Sequence, residues 1–244
     1  MRYVCMHKAS PQDEAGLPPP KALVEGMGAL IGELASQGAF LAGEGLRPSS
    51  TRFRLTRKGG GWHVTRGPLV GTNELPSGLA ILKVRTSDEA LEWARRFGTA
   101  AEADELEVGP LTEPWDLGMC PRPADPPLRY MLLPKATRAT ESGAAPRTAA
   151  LEKLRAEMES AGVLAFAATL APSSKALRAR YRDNDRSLTD GPFAESKELI
   201  GGFCLLELPT LDELLAFCDR FVRVVGGTCE LDLRPVAALT AGGR

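Results

Sequence analysis

The sequence predicts an α+β protein assembled from one unit written twice. Each unit runs β-α-β-β-α-β, the ferredoxin-like order, and the two pack sheet to sheet as a pseudo-dimer. Three observations carry this. The chain repeats itself at a near-constant spacing. Each repeat passes through strand-like and helix-like apolar patterns in the same order. An antiparallel sheet with helices on one face needs cover on the other, and a tandem chain supplies that cover itself.

The repeat starts at the first residues. "RYVCMHKASPQDEAG" begins at Arg2 and "RYMLLPKATRATESG" at Arg129, 127 positions on, so that Lys8 meets Lys135 and Glu14 meets Glu141. The spacing then settles at 124, where "TRGPLVGTNELPSGLAILKV" (65–84) faces "TDGPFAESKELIGGFCLLEL" (189–208). At 125, "ELEVGPL" (105–111) faces "ELDLRPV" (230–236). Residues 1–112 form a first domain and 129–238 a second, and 239–244 make a flexible tail. The join, "EPWDLGMCPRPADPPL" (113–128), holds five prolines, which fix φ and remove amide donors. It reads as an extended linker, with Trp115 and Met119 available to pack on a domain surface.

The elements follow in order. Strands open the copies at Tyr3–Met6 and Tyr130–Leu133. Met27, Leu30, Ile31 and Leu34 make a helical stripe, as do Leu151, Leu154, Met158 and Ala161, and Gly38 and Gly162 stand where a helix stops. A strand follows, then a hairpin loop, "RKGGGW" or "RDNDRS". After the turn come the apolar strands "GLAILKV" and "GFCLLEL". The second helices open on the capping boxes Thr86-x-x-Glu89 and Thr210-x-x-Glu213, and "ELEV" or "ELDL" closes each copy. This is the split βαβ, ferredoxin-like order, and two such units make an intramolecular pseudo-dimer.

Composition narrows the function. A net charge of −1 supplies no field for nucleic acid or an anionic membrane, and 14 aromatic residues are few for a single-strand stacking platform. The longest apolar run, "VLAFAATLA", is too short to span a bilayer, and "MRYVCMHKAS" has no signal-peptide core. Five cysteines without a CxxC fit a reducing cytosol better than a disulfide framework. No ligand spacing supports a metal, and "KGGG" (58–61) lacks the Lys-Ser/Thr of a phosphate loop, so no cofactor is expected.

"RYMLLPKAT", "AGVL", "PSS", "TDGPFAESKELIGGF" and "ELDLRPV" resemble the YCII-related family, in particular its DGPF-domain members, over nearly all of both copies. The resemblance implies a dimeric α/β barrel similar to muconolactone isomerase. It implies a His and Asp pair in a cleft for some relatives, and a regulatory link to an extracytoplasmic-function sigma factor as protein partner. The two copies depart from the pattern in complementary ways. Copy two keeps Asp190, Phe193, Glu195 and Lys197, where copy one has Arg66, Leu69, Gly71 and Asn73. Copy one keeps Glu44 in "GEGL", where copy two has Ala168, and Arg234 of copy two faces Gly109.

Asp190 is the candidate catalytic residue, a general base if burial raises its pKa. Turn chemistry alone also accounts for Asp190-Gly191-Pro192. Glu44, Lys135, Phe193, Glu195, Lys197 and Arg234 are candidate ligand contacts, with the cations fixing a small anionic ligand. Glu195, Lys197 and Glu198 equally fit a solvated turn, and Lys8 and Lys135, present in both copies, equally fit the shared fold. His7 and His63 are the only histidines, so a His–Asp pair has to bridge the copies. The pattern of loss raises one composite site, Glu44 with Asp190. Two functional readings result. One is a non-catalytic binding or regulatory protein of the cytoplasm. The other is a cofactor-free lyase or isomerase with Asp190 as acid/base and Lys135 or Arg234 holding an anion.

Overall fold

The computed structural model describes residues 1–143, 149–182, 185–193 and 196–241. Copy one supplies β1 (Arg2–Lys8), α1 (Pro11–Glu14), α2 (Lys21–Ser36), β2 (Phe40–Gly45), β3 (Phe53–Lys58), β4 (Gly61–Arg66), β5 (Gly78–Val84), α3 (Ser87–Ala100) and β6 (Glu105–Pro110). Copy two repeats the order as β7 (Leu128–Pro134), α4 (Arg138–Glu141), α5 (Ala149–Ser160), β8 (Leu164–Leu170), β9 (Leu177–Arg182), β10 (Asp185–Asp190), β11 (Ile200–Glu207), α6 (Leu211–Val225) and β12 (Cys229–Ala241).

The α+β class is observed, with a large antiparallel sheet. The strand order departs from two self-contained units. It runs β2-β11-β1-β12-β8-β5-β7-β6-β3-β4, with β9 and its hairpin partner β10 branching from β12. The first strand of each copy therefore pairs wholly within the other copy. β1 lies between β11 and β12, with Cys5 opposite Cys204 and Leu233. β7 lies between β5 and β6, with Leu132 opposite Ala80 and Val108. β2 and β8 follow their first strands across, onto β11 and β5. The physical reason is that alternation fixes which face a strand buries and leaves its neighbour open. The ladder is an open path, and one isolated bridge, Leu46 to Leu111, links the ends of β2 and β6.

Period-two alternation sorts the side chains into three cores. Leu55, Leu82, Leu106 and Leu132 face α3 and α5. Cys5, Leu206, Leu231 and Leu233 face α2 and α6, and α6 contributes Leu214, Cys218, Phe221 and Val222 at helical spacing. The residues between them, Val4, Met6, Leu79, Ile81, Met131, Leu133, Phe203 and Leu205, meet in a central core drawn from both copies. Each fully buried leucine contributes about 1.5–3 kcal/mol of transfer free energy. All five cysteines are free, and burial pushes the Cys204 thiol up to about 12.

Several local expectations need correction. The proline-rich join is not extended throughout: Asp116 and Leu117 amides donate to the Glu113 carbonyl in a turn. Trp115 is half-buried there, while Met119 is exposed. Residues 239–241 are strand rather than tail, Leu239 pairing with Ala168 and Ala241 with Phe166. The Thr86 and Thr210 hydroxyls do cap α3 and α6. The Glu89 carboxylate, however, takes the Arg85 amide instead of closing a box. Reciprocal boxes occur instead at Ser10 with Asp13 and Thr137 with Thr140, opening α1 and α4, which the apolar pattern missed.

Candidate functional site: two buried ion clusters

At one end of the central core the inward-facing positions stop being apolar. In copy two, Lys8 of β1, Arg178 of β9, and Asp232 and Arg234 of β12 are all on the inner face, because their sequence neighbours Leu177, Ala179, Leu231 and Leu233 occupy the helix-facing core. In copy one the inner positions are Arg52 just before β3, Arg54 on β3, Glu107 on β6 and Lys135 after β7. All these side chains are at least nine-tenths buried. A charge at such depth is tolerated only when paired.

In copy two, Lys8 Nζ donates to Asp232 Oδ2 at 2.6 Å and to Ser196 Oγ at 2.7 Å. Arg178 Nε donates to Asp232 Oδ1 at 2.6 Å, and Glu230 Oε1 lies 3.2 Å away. The Arg178 guanidinium lies 4.3 Å over the Phe193 ring. Burial works against the Asp232 charge, but Lys8 and Arg178 outweigh it and hold the carboxyl below its usual range.

In copy one, Glu74 is fully buried and closes the equivalent arrangement. Arg54 Nη2 donates to Glu74 Oε1 at 2.7 Å, and Lys135 Nζ donates to Glu74 Oε2. The Thr72 amide adds a bond of 3.0 Å to the same carboxylate. Burial opposes this charge too, and Lys135, Thr72 and Arg54 hold the carboxyl below its usual range. Arg52 Nη1 reaches Glu107 Oε1 at 2.9 Å and the Ile200 carbonyl at 2.8 Å.

The turns after β4 and β10 cover the two clusters and touch each other. The Glu74 amide donates to the Ser196 carbonyl at 2.7 Å. A Cβ on Gly71 would stand 1.7 Å from the Lys197 carbonyl oxygen, so only glycine permits that crossing. Each turn is fastened the same way. Ser49 Oγ accepts from the Leu69 amide and Ser173 Oγ from the Phe193 amide, both at 3.2 Å. Glu14 and Glu141 accept from the Ser49 and Ser173 amides beneath.

The expected site residues divide. Lys135 and Arg234 lie in the clusters, and Phe193 borders one, half-buried under Arg178. Asp190 ends the exposed edge strand β10, opposite Leu177, so burial does not act on it as the base role requires. Lys197 is exposed on the turn, and Glu195 lies outside the described residues. Glu44 belongs elsewhere: Arg129 of β7 holds it together with Glu113. Burial raises the Glu44 carboxyl against the pull of Arg129. The register sets Glu44 and Asp190 on opposite edges of one sheet, five strand steps apart, about 24 Å along a flat ladder. They do not form the composite site. His7 packs against Phe221 with ring centroids 5.7 Å apart, and His63 is exposed on β4, so neither histidine is the partner of Asp190.

Sequence reasoning missed Arg52, Arg54, Glu74, Glu107, Arg178, Ser196 and Asp232. The signal was present. Arg54 meets Arg178 and Glu107 meets Asp232 at the repeat spacing, on strands whose neighbouring residues are apolar. A charge retained in both copies between two core positions points inward.

The fold and these clusters define a tandem α+β protein whose copies complete each other's sheets around a polar inner site. The family model of the YCII-related domain matches residues 1–112 and again 128–236. The chain belongs to the YCII-related family and carries two such domains in tandem. It is also similar to an uncharacterized protein of Rhizobium meliloti (strain 1021), 35% identical over 82 residues. That match covers 34% of this chain and 66% of the relative, just under two thirds of its length. Among the described residues no helix is long and apolar enough to cross a membrane, and no group of three His, Cys, Asp or Glu side chains could hold a metal ion.

Proposed function

We propose that this chain is a binding protein for a small anionic molecule, held at the inner end of an eight-strand enclosure formed by the two copies. The Leu46–Leu111 bridge supports the enclosure, because it joins the outer ends of the β2-to-β6 path into a ring. One observation carries the binding reading. Each cluster gathers three buried cations, Lys8, Arg178 and Arg234 or Arg52, Arg54 and Lys135, at one polar end of an otherwise apolar core, the lysine coming from the other copy. Packing alone would favour apolar side chains at such positions, since buried ion pairs contribute little net stability. Held ionised by their cations, Glu74 and Asp232 suit charge pairing better than proton transfer near neutral pH.

The test is thermal denaturation in a panel of small anions at constant ionic strength, with chloride as the reference. The proposal expects at least one anion to raise the midpoint, and equal midpoints in every salt would contradict it. Acid–base catalysis is a second reading favoured by Glu44, whose carboxyl is raised by burial while part of it remains exposed. A lyase or isomerase activity lost in Glu44→Gln and kept in Asp190→Asn would support it.

A further inference from the structure

Apart from one cation that changes strand, the two clusters match position for position except at one. Lys8 corresponds to Lys135, Arg178 to Arg54, Asp232 to Glu107, Glu230 to Glu105 and Glu141 to Glu14. Arg234 takes the place of Arg52 from a different strand. The exception is Glu74, fully buried between Arg54 and Lys135, whose counterpart Glu198 is exposed. Among the described residues the first cluster therefore sets three buried cations against two buried carboxylates, Glu74 and Glu107. The second sets three against one, Asp232.

We propose that the second cluster takes the carboxylate of a small monocarboxylate ligand, bound by Arg178 and Lys8 as Glu74 is bound by Arg54 and Lys135. This rests on the anion-binding reading above and names the ligand class and the copy. Glu74 is then the tethered occupant of the first cluster, which leaves the chain with one working site. Arg234 is 1% exposed and its Nη1 has no hydrogen-bond partner among the described residues, as Arg52 Nη2 has none in the first cluster, so both clusters hold a spare buried donor. One further observation favours the second cluster. Lys8 spends its second hydrogen bond on the neutral Ser196 hydroxyl where Lys135 has a carboxylate, and a ligand carboxylate makes the stronger charge-assisted bond.

The experiment is thermal denaturation of the full chain in sodium acetate, compared with chloride at equal ionic strength. Wild type is expected to gain about 2–4 °C near saturation. Arg178→Met is expected to lose that gain. Ser196→Glu, which tethers a carboxylate beside Lys8, is expected to keep or raise the midpoint in chloride and to gain nothing from acetate. Glu74→Ala opens the first cluster, so its midpoint falls and acetate restores it by more than the wild-type gain. Glu74→Gln fills the same space without charge, so its midpoint falls and acetate adds only the wild-type gain. Should Glu74→Ala fail to fold, Ser196→Glu decides. An undiminished acetate gain in Arg178→Met and Ser196→Glu overturns the assignment to copy two, and a gain with phosphate or sulfate but not acetate overturns the carboxylate class. Both outcomes leave anion binding standing. No gain in any anion overturns the anion-binding reading itself.

Discussion

Arg52 and Arg234 bring their guanidinium groups to equivalent places from different strands. Arg52 Nε donates to the Arg47 carbonyl at 2.7 Å, and Arg234 Nη2 donates to the Ala171 carbonyl at 2.6 Å; those two carbonyls correspond in the repeat. Each also pairs with the equivalent carboxylate, Glu14 at 3.8 Å and Glu141 at 3.4 Å. Opposite Arg52 stands Gly109, and opposite Arg234 stands Ala176. One inward cation per cluster has been kept while its strand of origin changed.

That relationship predicts an exchange. Arg52→Ala alone leaves Glu107 short of a partner and should cost about 3–5 kcal/mol in urea denaturation. Gly109→Arg alone should also destabilise, because a Cβ there meets Arg52 Cδ at 3.3 Å and Leu46 Cδ2 at 2.6 Å. The double variant reproduces the copy-two arrangement and should recover most of the loss. A double variant no better than the sum of the two singles would show that the sites are not interchangeable.

Acid should unfold the protein through the clusters. The Glu74 and Asp232 carboxyls are held below their usual values of 4.5 and 3.8. Groups depressed in the folded state contribute stability that is present above those values and is lost as pH falls through the folded ones. Glu74→Gln should weaken the fold near neutrality and flatten the loss below about pH 4.5. Parallel stability curves for variant and wild type would count against this.

His7 should add a second pH dependence. Burial holds it below its usual 6.5, with the Lys8 carbonyl and Asp13 pulling it up and Arg52 and Lys8 pulling it down. The unfolded imidazole then binds a proton that the folded one refuses, so this stability is present above 6.5 and falls as pH drops through the folded value. Chemical denaturation between about pH 7.5 and about pH 5.5 should show the decline, and His7→Gln should remove it.

The turns should tolerate no side chain at their contact points. A Cβ on Gly67 would lie 1.8 Å from the Ser49 carbonyl oxygen, so Gly67→Ala should cost at least about 3 kcal/mol. Gly32, exposed in α2 with nothing within 4 Å of its Cβ position, is the control. Gly32→Ala should stabilise by about 0.5–1 kcal/mol.

The strand exchange has its own consequence. Fragments 1–112 and 128–241 each lack the first strand that their remaining sheet needs. Mixed, they should form a 1:1 complex with the circular dichroism of the intact chain. A monomeric fragment 128–241 that unfolds cooperatively would contradict the exchange.

Much of this was legible in the sequence. The duplication set the element order, and the strand at Tyr3–Met6 and the apolar run "GLAILKV" marked the segments that bring Val4, Met6, Leu79 and Ile81 to the core. Partner choice was not legible, because β1 buries the same faces beside β5 or beside β11. The site was half legible. Lys135 and Arg234 stood out, whereas Glu74 did not, since nothing local reveals that a turn folds its carboxylate inward. Asp190 drew attention through its turn chemistry, and an edge hairpin explains that chemistry without a pocket.

The most direct test of the central claim is a crystal of the full chain grown without carboxylates and soaked in acetate. The account predicts an acetate bridging the Arg178 guanidinium and the Lys8 ammonium, within hydrogen-bond distance of both, with Glu74 still seated between Arg54 and Lys135. Acetate in the first cluster with Glu74 displaced, or bound only outside both clusters, would contradict it.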